Sequence, residues 1–210
     1  MKKVLIILGF IFLNFAYSQD KDLLNIIAKG LNAFDNRDYA SAVQYYKKAC
    51  DLGDSFGCYS AGLMFLNGNI IKKDIFRAIN FFQKGCDLND GFSCGILGSI
   101  YSSGYDIEKN SFKAIKLYQK SCNLNEGGGC SGLGSMYALG EGTKKDNFKA
   151  VELFKKACNL NNGNGCFNLG IMYMNGYGVR KDTSKALEFY GKACDLKYDI
   201  GCKNYARLKR

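Results

Sequence analysis

Apolar residues recur along this chain at helical spacing, and the whole pattern returns every 36 residues. In FKAVELFKKAC, residues 148–158, Ala150, Val151, Phe154, Ala157 and Cys158 share one face of a helix. Lys149, Glu152, Lys155 and Lys156 point elsewhere. The same design appears in FRAINFFQKGC from Phe76, FKAIKLYQKSC from Phe112 and SKALEFYGKAC from Ser184. Each is preceded by another helical stretch: CYSAGLMFLNG, CGILGSIYSSG, CSGLGSMYALG and CFNLGIMYMNG. Gly68, Gly104, Gly140 and Gly176 end these stretches, where a left-handed residue satisfies the last carbonyls. A short loop follows, and then Asp74, Asn110, Asp146 or Asp182, each suited to cap the second helix. Every unit is therefore predicted to be an antiparallel helical hairpin.

The ends depart from the period as the ends of a stack must. In the first unit, Leu23, Ile26, Ile27, Leu31 and Phe34 form one helical face. Asn36-Arg37-Asp38 breaks it, and a second helix carries Ala42, Val43, Tyr46, Ala49 and Cys50 on one side. The last eleven residues, IGCKNYARLKR, make half a unit. A fixed period of this length means stacked supersecondary units. The expected fold is all-α, an αα-hairpin solenoid, with a capping repeat at 22–55, repeats at 56–91, 92–127, 128–163 and 164–199, and a C-terminal cap at 200–210. With no proline and no low-complexity linker, residues 19–210 read as one elongated domain. Gly62, Gly98, Gly134 and Gly170 recur inside the first helices, where glycine costs about 1 kcal/mol against alanine. The expectation is that they let Ala78, Ala114, Ala150 and Ala186 of the partner helix approach.

Residues 1–18 read as a signal peptide: Lys2 and Lys3, an apolar run from Val4 to Phe15, then Ala16-Tyr17-Ser18 at a cleavage site. The run is shorter than the ~20 apolar residues of a membrane span. The mature chain is expected to start near Gln19, without a membrane span, exported to the periplasm or secreted, and monomeric. The formal net charge of +10 falls by two when Lys2 and Lys3 leave. Such a chain could meet anionic lipid or cell-wall polymer, and export argues against nucleic acid as a partner.

All ten cysteines obey C-x7-C: Cys50 and Cys58, Cys86 and Cys94, Cys122 and Cys130, Cys158 and Cys166, Cys194 and Cys202. In an exported chain they read as disulfides. Pairing across each x7 segment uses every thiol. Pairing within a hairpin, Cys58 to Cys86 and onward, fits the geometry but strands Cys50 and Cys202. The short-range scheme is the expectation. No metal or other cofactor is expected, because zinc sites want closer cysteine pairs and the chain contains no histidine.

The motif LG-x-[IM]-Y-x-x-G, then G-x-x-x-[KR]-[DN], then [KR]-A-x-x-[FL]-[YF], resembles the Sel1-like repeat, a relative of the tetratricopeptide repeat. With C-x7-C in every unit behind a signal peptide, the chain is similar to the Helicobacter cysteine-rich proteins. The resemblance implies a right-handed αα-superhelix, exported, and penicillin binding with weak β-lactamase activity. The residues give no chemistry for the latter. Serine β-lactamases use S-x-x-K, and the one S-x-x-K here, Ser18 to Lys21, straddles the cleavage site. S-D-N, K-T-G and histidine are absent.

First helices of such solenoids line the inner surface. Positions one, two, five, eight and nine after each cysteine share a face and vary between units, which leaves them free to specify a partner. They give Tyr59, Ser60, Leu63 and Asn67, then Ser99, Ser102 and Ser103, then Ser131 and Ser135. Phe167, Asn168, Ile171 and Asn175 follow, and the cap adds Lys203, Asn204 and Arg207. This hydroxyl- and amide-rich face suits a protein, an extended peptide or a peptidoglycan-like strand.

Overall fold

The computed structural model describes residues 21–68 and 71–210, so the expected leader lies outside the described residues. The chain packs as two compact units, one ending at Leu88 and the other Asn89–Arg210. Eleven helices and no strands are present among the described residues. The first unit holds α1 (21–35), α2 (Tyr39–Asp51), α3 (Ser55–Asn67) and α4 (Ile75–Asp87). The second holds α5 (Gly91–Ser103), α6 (Ser111–Asn123), α7 (Gly127–Leu139), α8 (Asn147–Asn159), α9 (Gly163–Asn175), α10 (Thr183–Asp195) and α11 (Asp199–Leu208).

Local chemistry ends each helix where the sequence says it should. Gly68, Gly104, Gly140 and Gly176 close the first helices with φ of 67°, 67°, 74° and 73°. The carboxylates of Asp74, Asp146 and Asp182 and the amide oxygen of Asn110 accept from the backbone N–H three residues on. The first helices are capped in the same way by Asp54, Asp90 and Asn162, and by Glu126 through the N–H two residues on. Each such cap satisfies an otherwise orphaned helix donor and is worth about 1 kcal/mol.

Inside each hairpin one contact repeats. A Cβ on Gly98 would lie 2.8 Å from the Tyr118 ring, on Gly134 2.7 Å from Phe154, and on Gly170 2.6 Å from Tyr190. In the first unit Gly62 meets Phe82 at 2.7 Å and Gly30 meets Tyr46 at 2.9 Å. The glycine thus makes room for an aromatic ring, not for the alanine that sequence reasoning favoured. The alanines are fully buried, but the ring is the bulky group that needs the space. The terminal hairpin shares this contact despite its shorter connection. Its first helix departs from expectation elsewhere: Ile26 is buried, while Leu31 and Phe34 are exposed.

Successive hairpins meet at the disulfides. Cys50–Cys58, Cys122–Cys130, Cys158–Cys166 and Cys194–Cys202 are bonded with Cα–Cα distances of 4.4–4.5 Å. Cys86 and Cys94 are also disulfide-bonded, and no described cysteine is free. The short-range scheme therefore holds at each of these four junctions. Closing eight residues constrains the unfolded chain by about 2.5 kcal/mol per bridge. Such bonds persist in oxidising compartments, the periplasm or the cell exterior. Beside each of these four bridges a glycine lets the backbones touch, whereas Ser93 holds that register before Cys94: a Cβ on Gly165 would sit 2.4 Å from the Ala157 Cβ, and one on Gly201 2.6 Å from the Ala193 Cβ. In the second unit α5, α7, α9 and α11 pack side by side, as the inner layer of a curved stack does. No helix among the described residues is long and apolar enough to cross a membrane.

Candidate functional site

Side-chain volume along the inner layer decides where a ligand has room. α5 carries Gly95 and Ser99, and α7 carries Ser131, Gly132 and Ser135. In α9 the corresponding residues are Phe167, Asn168 and Ile171. Over the small residues lies a cavity of about 650 Å³, within the size range of ligand sites. Gly95, Ser99, Ser102 and Ser103 line it from α5; Ser131, Gly132, Ser135 and Met136 line it from α7. Tyr118 of α6 shows its edge between them, and Asn162 and Asn164 close one end.

The polar groups of this cavity are organised rather than free. The Ser131 hydroxyl, itself buried, donates to Asn164 Oδ1 at 2.9 Å, and Asn168 Nδ2 donates to the same oxygen at 2.6 Å. Asn164 Nδ2 donates to the Tyr198 hydroxyl at 3.3 Å. Ser135 donates to the Ser131 carbonyl at 3.1 Å, and Ser102 to Met136 Sδ at 3.5 Å. Burial raises the Tyr118 phenol above its ordinary value, while hydrogen bonds with Ser99 and Ser102 act the other way. At the rim Lys109 Nζ is paired with Glu141 Oε2 at 2.8 Å. Glu126 accepts from the Gly128 N–H and has no ion pair among the described residues.

Five of the expected residues, Ser99, Ser102, Ser103, Ser131 and Ser135, come together here. Asn168 meets its edge through Asn164, and the others are not among its lining residues. Tyr59, Ser60, Leu63 and Asn67 belong to α3 in the first unit, where Tyr59 packs edge-on against Phe82 at 6.4 Å. Phe167 is wedged between Tyr190 and Tyr198, with ring centroids 5.6 and 5.5 Å away, so it is packing rather than free surface. Ile171 is half-buried, and Asn175 donates back to its carbonyl at 3.0 Å. Arg207 donates to Asn204, and Lys203 is exposed on α11. The glycines, Tyr118 and Glu126 were missed, because polarity rather than volume guided the choice. Absence of a side chain at Gly95 and Gly132, against Phe167 and Asn168 one or two repeats later, was the available signal.

The Sel1 repeat model matches residues 29–54, 55–90, 93–126, 129–162 and 163–198. The solved Helicobacter pylori cysteine rich protein B is 37% identical, with a TM-score of 0.51, over 65% of this chain and 98% of that one. A Sel1 repeat protein from Oxalobacter formigenes has a TM-score of 0.75 at 22% identity, covering 80% of this chain and 67% of that chain, and shows the shared fold. A Helicobacter pylori protein named "Putative beta-lactamase HcpC" is 40% identical over 56 residues, 27% of this chain and 19% of its own length. The chain thus spans about a fifth of the curated relatives it matches. The repeated hairpins, the stapled junctions and these matches make the chain a member of the Sel1 repeat family, among the Helicobacter-type cysteine-rich proteins.

Proposed function

We propose that this chain is an exported scaffold that grips an extended peptide segment of a partner protein in the cavity over α5 and α7. The observation that carries this reading is the cavity itself, edged by hydroxyls and amides, with Phe92, Ile96 and Leu139 adding apolar lining. Ser99, Ser102, Asn162 and Asn164 offer both donors and acceptors, as a peptide backbone requires. Met136 and the Tyr118 edge supply an apolar floor for one side chain. Disulfides at the junctions hold the inner helices in register before the ligand arrives, which lowers the ordering cost of binding. Export is supported by the same bonds. To test it, peptides selected from a random 12-residue display library are titrated into isotope-labelled, oxidised protein. Amide shifts should concentrate at Ser99, Ser131 and Ser135, with the Tyr118 ring. Shifts confined to the outer faces of α6 and α8, or selection of no peptide, would sink the reading.

A second reading follows from the name of the HcpC relatives: the cavity takes a β-lactam and hydrolyses it slowly. No thiolate is available, since every described cysteine is bonded, so serine hydroxyls of the cavity would have to serve. Lys109, the lysine of the rim, is engaged by Glu141, which weakens the case for a carboxylate-bearing penicillin. Steady-state hydrolysis of benzylpenicillin should be insensitive to iodoacetamide and fall in Ser99→Ala/Ser135→Ala. Equal rates in wild type and variant exclude this cavity as the site.

A further inference from the structure

The second unit has an edge, formed by the loops that join first to second helices, whose composition the cavity does not explain. Phe112 and Phe148 occupy the second position of α6 and α8 and are 72% and 75% exposed. Helical side chains lean toward the N-terminus, so both rings reach toward this edge. Lys113 and Lys149 follow them, each held over a tyrosine ring, Tyr101 at 4.9 Å and Tyr137 at 4.3 Å. Lys144, Lys145, Arg180 and Lys181 are exposed or nearly so in the adjoining loops. Tyr177 adds a further exposed ring there.

These groups form one continuous edge rather than scattered points. A Cβ on Gly142 would sit 2.6 Å from the Ser111 Cβ, and one on Gly178 2.4 Å from the Asn147 carbonyl oxygen. Each loop is thus seated on the start of the second helix in the repeat before it. The Lys109–Glu141 pair ties two neighbouring loops at 2.8 Å. Asp146 and Asp182 are engaged as helix caps, Glu152 also acts on Lys149, and Asp106 and Glu108 stand exposed in the loop before α6. Solvated lysines alone would keep the protein soluble; large rings exposed at the same register of successive repeats are a different signal.

We propose that this edge docks on an anionic phospholipid surface, with Phe112 and Phe148 entering the headgroup–acyl boundary and the flanking lysines meeting the phosphates. The chemistry is that of interfacial anchoring, in which apolar area and attraction to anionic lipid act together.

The test is co-sedimentation of the oxidised protein with phosphatidylcholine vesicles, with and without about 30 mol% phosphatidylglycerol. Binding is expected only with the anionic lipid, and it should weaken as salt rises from about 0.1 to 1 M, where the screening length falls to ~3 Å. The double variant Phe112→Ser/Phe148→Ser should bind at least ~10-fold more weakly. It is expected to fold, because Ser184 holds that register in α10; an unchanged melting curve checks this. Lys113→Gln/Lys149→Gln should also weaken binding. Absence of binding to phosphatidylglycerol vesicles overturns the proposal. So does binding that the phenylalanine variant leaves unchanged and that heparin beads reproduce, since this is attraction to any polyanion.

Discussion

In α5 and α7 the inner registers hold Gly95, Ser99, Ser131, Gly132 and Ser135, while in α9 they hold Phe167, Asn168 and Ile171. The framework beneath them is nearly the same. Tyr118, Phe154 and Tyr190 each cover a helix glycine, and the bridges at Cys122, Cys158 and Cys194 each sit beside a glycine. Yet the middle repeats leave an open cavity and the last full repeat fills the corresponding space with a ring packed against Tyr190 and Tyr198. The repeat plan fixes the core, and departures from it at the inner registers make the site.

The strongest way to break the shared plan is to put a side chain where two backbones touch. Gly165→Val should remove ~3 kcal/mol or more of unfolding free energy, because the added Cβ meets the Ala157 Cβ at 2.4 Å and backbone at 3.1 Å. Urea unfolding measures it, and a loss under ~1 kcal/mol contradicts the close approach. Next in size are the bridges. Replacing Cys122 and Cys130 by serine should cost about 2.5 kcal/mol, and replacing Cys158 and Cys166 should cost the same within experimental error. Markedly unequal losses would mean that the middle and last junctions are not equivalent.

A smaller effect separates the two tyrosines. Burial raises both Tyr118 and Tyr190 above the ordinary phenol value of about 10. A phenol raised in the folded state contributes its full stability below the unfolded value. That contribution is lost as pH rises, because the unfolded chain ionises first. Arg207 lowers Tyr190 and so offsets part of its shift. Tyr118→Phe should therefore flatten the loss of stability above pH ~10 more than Tyr190→Phe does. Thermal melts between about pH 9 and 11 check the order.

How much of this was legible in the sequence follows from the same contrast. Helix ends, hairpins and junction bridges could be read because they recur: Gly104, Asn110 and the C-x7-C spacing each carry local chemistry independent of distant neighbours. The cavity is set by what the inner positions lack, and an absent side chain has no polarity to notice. Serine content led to Ser99 and Ser135, but treated Phe167 as an equivalent position, although its ring is absorbed by Tyr190 and Tyr198. Tyr118 reads as core from its register; only the glycine opposite, Gly132, lets its edge reach the cavity.

The central claim, that small residues in the middle repeats create the binding site, is tested most directly by giving those repeats the residues of their neighbours. Ser99→Leu/Ser135→Ile copies Leu63 and Ile171, which the fold already carries at these registers. The affinity of a library-selected peptide, measured by calorimetry for wild type and variant, should fall at least ~10-fold, about 1.4 kcal/mol. The unfolding free energy should stay within ~1 kcal/mol of wild type. Unchanged affinity in a stably folded variant would contradict the account.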